Sequence, residues 1–326
     1  MFRWKDWSAK HKPMIILAPM EGYTDSAYRQ LIKEITPEAI VFTEFTSSDG
    51  LKYGSVKSFQ KVEYKEIERP MIAQIFGKHP EHFAECAAML EKMGVDGIDI
   101  NMGCPSSKVV NSCHGSALFN HPTLAAETVE ATAKATTLDV SVKMRLGFAK
   151  FEIQPLKEFT KRLENAGAKH LAIHGRTTKQ KYTGSANFEP IYEIKDHLNI
   201  PVTGNGDIKS VKDAVTKLKN LDGLMIGRAT YGNPWILKEI VEHFKGNTFT
   251  GPKKLIEKIP TIKHQISLAC EFKGERVGML EMRKHLANYI KDIPGAAKYR
   301  FDLVRVSTEQ DALDILNEIS KKALND

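Results

Sequence analysis

Short apolar runs rich in β-branched residues recur between Met14 and Gly227, and each is followed by a longer segment with helical signals. Strands that alternate with helices are typical of a parallel sheet, because a parallel connection needs a long crossover. Eight such units favour a closed barrel, so the predicted fold class is α/β, a TIM (β/α)8 barrel. The eight predicted strands are Met14–Ala18, Ile40–Thr43, Met71–Phe76, Gly97–Asn101, Val140–Met144, His170–His174, Pro201–Gly204 and Leu224–Gly227.

The segments between these runs carry helix signals. Thr24 or Asp25 is suited to cap a first helix, and Pro122 is suited to open one that runs to Lys134. Apolar residues at helical spacing predict further helices over Ile208–Leu218 and Pro234–Phe244.

The pattern changes after Lys245, where a polar stretch with two glycines and a proline predicts a linker over residues 246–252. No apolar run of the strand type follows it. The sequence therefore predicts a catalytic barrel over residues 1–245 and a C-terminal α-helical domain over residues 253–326. Its predicted helices are Lys254–Phe272, Gly278–Lys291 and Thr308–Ala323.

Charge is distributed unevenly in this chain of 326 residues with a net charge of +7. From Lys253 to Arg305 there are 12 Lys or Arg residues against 6 Asp or Glu residues. A basic segment of this kind suits a polyanion such as RNA. On charge alone, a solvated helical surface is the simpler interpretation.

The composition predicts an ordinary globular protein of the cytoplasm. Four scattered cysteines indicate a reducing compartment, and their spacing predicts no metal site. The first 13 residues lack the apolar run of a signal peptide, and no stretch has the length of a membrane span. No membrane partner is expected. The sequence leaves protein partners and the oligomeric state open, and a monomer is compatible with it.

Polar or glycine-rich residues follow the predicted strands, at the barrel end where active sites of this fold lie. The glycines at 204, 206 and 227, the helix that begins near Ile208, and Arg228 favour a phosphate site after the last two strands. Lys143 is compatible either with a Schiff base or with a flavin ring. His174 is compatible with a cofactor contact or with a buried structural role.

A loop with an unusual cysteine follows the fourth strand, in the segment from Asn101 to Pro105. A neutral thiol can donate a proton at neutral pH. A cysteine is more often a small buried hydrophobe, which fits Cys86 and Cys270 in their helical patterns. That interpretation fits Cys104 poorly, because a Gly-Cys-Pro loop at the rim has no core to fill.

Taken in order, these motifs resemble the tRNA-dihydrouridine synthase family over about residues 14–300, with the bacterial B-type branch the most similar. Arg283-Lys284-His285 supports that branch. The segments that carry the resemblance are 18–25 (APMEGYTD), 101–105 (NMGCP), 115–118 (GSAL), 143–145 (KMR), 174–177 (HGRT), 204–207 (GNGD) and 227–228 (GR).

The resemblance implies FMN as the cofactor, NADPH or NADH as the co-substrate and tRNA as the substrate. Hydride would pass from reduced FMN to C6 of a uracil, and Cys104 would protonate C5. Asn101 and Arg145 would face the uracil and its RNA strand. The cofactor contacts that the resemblance implies are Ala18, Pro19, Met20, Gln74, Lys143, His174, Asn205, Gly206, Asp207, Gly227 and Arg228.

One position departs from the family pattern: Cys113, followed by His114, stands where a glycine is typical. Three other functions remain open from the residues themselves. They are a flavin barrel that acts on a small molecule, a Schiff-base aldolase built on Lys143, and a tRNA-binding protein with an inactive redox site.

Overall fold

A barrel of parallel strands forms the centre of the protein, which a computed structural model describes over residues 1–105, 115–290 and 297–323. All eight predicted strands are present, and a two-residue strand, β3, adds to the sheet after the second of them. The strands are β1 Met14–Leu17, β2 Val41–Phe42, β3 Thr46–Ser47, β4 Met71–Phe76, β5 Gly97–Met102, β6 Asp139–Arg145, β7 His170–His174, β8 Val202–Asn205 and β9 Gly223–Ile226.

The sheet curls into a closed ring. Its order is β1-β9-β8-β7-β6-β5-β4-β2, and every pair is parallel. The ring closes where Leu17 N donates to Ile40 O at 2.9 Å and Ile40 N donates to Ile15 O at 3.1 Å. The predicted (β/α)8 fold class is therefore confirmed.

Successive side chains along each strand point to opposite faces of the sheet, and this produces two separate apolar layers. Outward residues such as Val140, Val142 and Met144 of β6 join the core beneath the surrounding helices. A smaller inner cluster includes Met14, Ile16, Ala18, Ile40, Phe42 and Met225, and Trp4 covers it at the N-terminal ends of the strands.

Helices surround the ring and then continue alone past residue 245. The predicted Pro122–Lys134 helix is confirmed, and Asp25 caps α2 by accepting from Tyr28 N at 2.9 Å. None of the described helices is both long enough and apolar enough to cross a membrane. The helices are α1 Trp4–Lys10, α2 Ser26–Ile35, α3 Ser48–Lys52, α4 Val56–Val62, α5 Pro80–Lys92, α6 Pro122–Lys134, α7 Ile153–Asn165, α8 Glu189–His197, α9 Val211–Leu218, α10 Ile236–Phe244, α11 Leu255–Lys273, α12 Glu275–Tyr289, α13 Ala297–Leu303 and α14 Glu309–Ala323.

The C-terminal helices α11 to α14 share a hydrophobic cluster of their own. Ala27 of α2 and Trp235, beside α10, belong to that cluster, so the helices are docked on the barrel. Gly251 also packs on Trp235, and its N–H donates to Glu239 at 2.9 Å. The predicted linker is therefore held against the barrel, while the division at residues 245 and 253 stays a prediction.

Candidate active site

The loop after β1 meets the end of β9 at the barrel mouth. Ala18 is buried, while Pro19 and Met20 are partly exposed. A Cβ atom on Gly227 would lie 3.3 Å from Met20 Sδ and 3.4 Å from the Ala18 Cβ. A glycine at 227 therefore lets these two chain segments approach closely.

The loop that carries Cys104 is held from several directions. The Gly103 and Cys104 N–H groups donate to Asn101 Oδ1 at 3.1 and 2.9 Å. Ser116 Oγ donates to the Cys104 carbonyl at 2.8 Å, and Arg145 Nε donates to the Gly103 carbonyl at 2.8 Å. Cys104 itself is partly exposed.

Arg145 is buried and serves the surrounding backbone. Besides the Gly103 carbonyl, its guanidinium donates to the carbonyls of Thr177 at 3.1 Å and Lys181 at 3.0 Å. It thus links the cysteine loop to the loop after β7. Its predicted contact with substrate stays a prediction.

Gln74 lies wholly inside the barrel and is bonded at both ends of its amide. Its Nε2 donates to Asp99 Oδ2 at 2.7 Å, and its Oε1 accepts from Asn101 Nδ2 at 2.9 Å. Ser141 Oγ donates to the other oxygen of Asp99 at 2.6 Å. Burial raises the pKa of Asp99 to about 6, although the hydrogen bonds from Ser141 and Gln74 favour its ionised form.

Lys143 points into the mouth, with its Nζ 3.4 Å from Asn205 Oδ1. Burial and the nearby Arg145 lower the pKa of Lys143 to about 8, whereas Asp99 and Cys104 act in the opposite direction. The Asn205 amide also donates to the Met225 carbonyl at 2.7 Å, so Asn205 ties Lys143 to β9.

The mouth is strongly positive around His174. Burial, and to a lesser extent four nearby cations, lower the pKa of His174 to about 2, so this imidazole is neutral at pH 7. A neutral imidazole with so low a pKa is a poor proton donor. The four cations are Lys143, Arg145, Arg176 and Arg228.

Asp207 is paired with Arg176, a residue that is not among the predicted site residues. Its oxygens accept from Arg176 NH1 at 3.1 Å and NH2 at 2.6 Å. Burial opposes ionisation of Asp207, but the Arg176 bond and the Ala186 N–H outweigh it and lower the pKa. Gly206 and Asp207 both have positive φ angles, 121° and 49°, which turns the chain sharply after β8.

Arg228 is half exposed at the rim. Its guanidinium lies 4.1 Å from the ring centroid of Tyr182 and 3.8 Å from Asp207. The aromatic ring thus holds the cation beside the β8 turn.

The C-terminal helices reach the same rim. Lys284 Nζ lies 5.1 Å from the ring of Tyr23, which stacks on Tyr231 at 3.9 Å. His285 is buried against Tyr23 and Tyr28. Helix α12 therefore contacts the loop after β1.

The structure brings the predicted site residues to one end of the barrel. Cys113 and His114 lie outside the described residues. The site predicted from the sequence does not include Asp99. Its position two residues before Asn101, on the same inward face of β5, was the signal that could have indicated it. Within the residues that the structure describes, no group of three His, Cys, Asp or Glu side chains is arranged to hold a metal.

Comparison with known proteins identifies similar sequences along nearly the whole chain. A family model described as dihydrouridine synthase matches residues 16–325. A probable tRNA-dihydrouridine synthase 1 from Synechocystis is 36% identical, over 93% of this chain and 85% of that protein. The tRNA-dihydrouridine synthase B of Xanthomonas campestris is 35% identical, over 94% and 92%.

Among solved structures, histamine dehydrogenase from Rhizobium sp. 4-9 superposes with a TM-score of 0.53 at 14% identity. The match covers 94% of this chain and 62% of that chain. At this level of identity the likeness concerns the barrel fold alone.

Proposed function

Because the chain belongs to the dihydrouridine synthase family, we propose that it reduces uridines of tRNA to 5,6-dihydrouridine. FMN would be its cofactor, and NADPH or NADH would restore the reduced flavin. The observation that carries this proposal is the partly exposed Cys104 on a braced loop, beside the cationic mouth.

The donor set at the mouth fits a flavin with a phosphate tail. The cations around His174 outnumber the carboxylates of Asp207 and Asp99, so an anion would be attracted there. The turn at Gly206 and Asp207, with Arg228 beside it, would hold the phosphate. Ala18, Pro19, Met20 and Gly227 would contact the flavin, and Lys143 would lie near its anionic edge. When bound and reduced, FMN would supply the hydride that uracil C6 accepts.

Residues of the protein would supply the proton that completes the reduction. Hydride addition at C6 of a conjugated uracil leaves negative charge at C5, which must be protonated. Cys104 is the proposed donor, because His174 is neutral and its pKa lies far below neutrality. Asn101 and Arg145 hold the loop on which the thiol stands.

An exposed patch on α13 and the turn that follows it supports a tRNA-binding role for the helical region. Lys298, Phe301 and Arg305 are all exposed and follow one another at helical spacing. The Arg305 guanidinium lies 3.5 Å from the Phe301 ring centroid. Cations beside an exposed ring suit phosphates and unstacked bases.

Two half-reactions test the proposed function. The purified protein should carry about one FMN per chain, and NADPH should bleach it without tRNA. Unmodified tRNA, mixed rapidly with the reduced protein, should restore the flavin absorbance and acquire dihydrouridine. Reoxidation by a free pyrimidine but not by tRNA would favour a small-molecule flavin enzyme. A reconstituted protein without flavin would instead favour an aldolase or a binding protein.

The tRNA surface is tested by charge reversal rather than by truncation, because removing the C-terminal helices would expose Trp235 and Ala27. Lys298→Glu with Arg305→Glu should weaken tRNA binding and reduce the salt dependence by about one unit per lost phosphate contact. The control is Lys134→Glu on α6, at an exposed site on a barrel helix. Equal effects of both changes would remove α13 from the proposed surface.

A further inference from the structure

A buried carboxylate lies beneath the cysteine loop, and the mechanism above gives it no role. Asp99, Gln74 and Ser141 are direct neighbours across β4, β5 and β6, so they form one level of the barrel interior. All three side chains are fully buried. Asn101 stands two residues further along β5, on the same face and nearer the mouth.

These side chains form a continuous line of hydrogen bonds that ends on the backbone of Cys104. Asp99 accepts from Gln74, Gln74 accepts from Asn101, and Asn101 accepts from the Gly103 and Cys104 N–H groups. We call Asp99, Gln74 and Asn101 the amide relay. The distances along it are 2.7, 2.9, 3.1 and 2.9 Å.

The direction of the amide relay is fixed at its two ends. A carboxylate only accepts hydrogen bonds, so Gln74 must turn its NH₂ group toward Asp99 and its oxygen toward Asn101. The two loop N–H groups only donate, so Asn101 must present its oxygen to them. One orientation of each amide satisfies both ends, and reversing either amide would place donors against donors.

We propose that Asp99 is a positioning residue, which acts through Gln74 and Asn101 to hold the backbone at Cys104 in its reactive arrangement. The proposal rests on the role given above to Cys104. Asp99 contributes no proton to the substrate, and the rest of the relay separates it from the loop. Its carboxylate instead gives the Gln74 NH₂ group a strong acceptor, which holds the inner end of the relay in place.

Variants of Ser141 can distinguish this positioning role of Asp99 from a role in packing alone. In Ser141→Ala, Asp99 stays ionised and still accepts from Gln74, so the relay keeps its direction. In Asp99→Asn, the new amide can place its NH₂ group against Ser141 Oγ, and the relay can still survive. In the double variant the alanine offers no partner, so nothing holds the oxygen of the new amide toward Gln74. When the NH₂ group turns to Gln74 instead, it opposes the Gln74 NH₂ group. The loop N–H groups prevent the relay from reversing to relieve this conflict, so Gln74 and Asn101 hold the loop less firmly.

The experiment is therefore a double-mutant cycle with two readouts. One is the rate at which tRNA reoxidises the reduced protein, and the other is the alkylation rate of Cys104 by iodoacetamide, followed by peptide mass mapping. Ser141→Ala should change each rate less than about threefold. The double variant should lower reoxidation by about 10- to 100-fold, the effect of a small displacement of a reacting group. The fold reduction of the reoxidation rate in the double variant should exceed the product of the fold reductions in the two single variants by about tenfold.

The alkylation rate separates failure of this proposal from failure of the proposed function, because alkylation needs neither tRNA nor flavin. A cooperative change in alkylation without any tRNA-dependent reoxidation would support the relay and reject the proposed function. The relay would be overturned if, for both rates, the loss in the double variant equalled the product of the losses in the two single variants. This holds for variants whose melting temperatures and flavin contents match the wild type. If the double variant fails to fold, Asp99→Ala decides, because it leaves the Gln74 NH₂ group without its acceptor. Both rates within threefold of the wild type would then overturn the relay, and a larger shift at unchanged flavin content would support it.

Discussion

The interior of the barrel has an apolar half and a polar half, although the outer faces of its strands are alike. Strands β1, β2 and β9 turn Met14, Ile16, Phe42 and Met225 inward, with Ile40 beside them. Strands β4 to β8 turn mostly polar groups inward, although Ile72 and Ala172 join the apolar cluster. The polar groups are Gln74, Asp99, Asn101, Ser141, Lys143, His174 and Asn205.

The contrast separates stability from chemistry. The apolar half stabilises the ring by burial and needs no partner for its side chains. Every member of the polar half must be hydrogen-bonded to be tolerated inside a protein. Asp99 and Gln74 meet that requirement only through each other and their neighbours, which is why the polar half is organised as a network.

Cys104, above the polar half, should show the largest effect on rate. We expect Cys104→Ala to keep FMN and to be reduced by NADPH normally, because neither step needs a proton donor to uracil. Reoxidation by tRNA should slow by about 10²–10⁴-fold, the usual contribution of a positioned general acid. Rapid mixing of reduced protein with unmodified tRNA measures this step.

Cys113→Ala is the control for this prediction, since it removes a thiol nine residues along the sequence. It should leave reoxidation nearly unchanged. A wild-type rate in Cys104→Ala together with a slow Cys113→Ala would move the acid to Cys113.

A change at Phe42, in the apolar half, should lower stability and leave the reaction rate nearly unchanged. It is fully buried inside the ring, so Phe42→Ala should lower the free energy of unfolding by about 3–5 kcal/mol. Urea denaturation measures this loss. The reoxidation rate per folded molecule should change far less than in Cys104→Ala. A rate loss of about 10²-fold at unchanged stability, the size expected for loss of a general acid, would remove the distinction between the halves.

The two halves also differ in how far the sequence could predict them. The strands were located because their outward faces are apolar in every unit, and β4 and β7 have the predicted bounds. The rim residues were found because such barrels place chemistry at the ends of strands. A two-residue strand such as Thr46–Ser47 is too short to produce a periodic signal.

The network inside the polar half could not be predicted in the same way. Asp99 and Gln74 are 25 residues apart, and only the register between β4 and β5 makes them neighbours. The substrate contact of Arg145 is predicted from the family resemblance. The bonds of Arg145 to three backbone carbonyls depend on how the loops after β5 and β7 fold over it.

Lys143 should make stability depend on pH. Its pKa is about 8 in the folded chain and near 10.5 when exposed, so between these values the unfolded state binds more protons. Stability therefore rises with pH across that window, by at most about 3 kcal/mol from this group. Lys33, with a pKa also lowered to about 8, contributes in the same direction. Lys143→Met should remove only its own share of the rise, measured by urea denaturation across the window between the two pKa values. An identical rise in this variant would show that Lys143 is not desolvated.

Arg228, which follows β9 and lies beside the turn after β8, should show the smallest effect. It is half exposed and rests on Tyr182, so solvent would screen the phosphate contact that we propose for it. Arg228→Gln should weaken FMN retention by about 1.5 kcal/mol, roughly tenfold in Kd, the lower end for a hydrogen bond to a charged group. Equilibrium dialysis of the flavin at two salt concentrations measures this change. Removing the arginine should also reduce the salt dependence of FMN binding, because a cation at the rim acts through a charge that salt screens. Tyr182→Leu is the matched variant: it keeps the cation but removes the ring beneath it, so it should weaken FMN by less and retain the salt dependence. Equal losses in both variants would mean that the ring, rather than the charge, holds the cofactor at this edge.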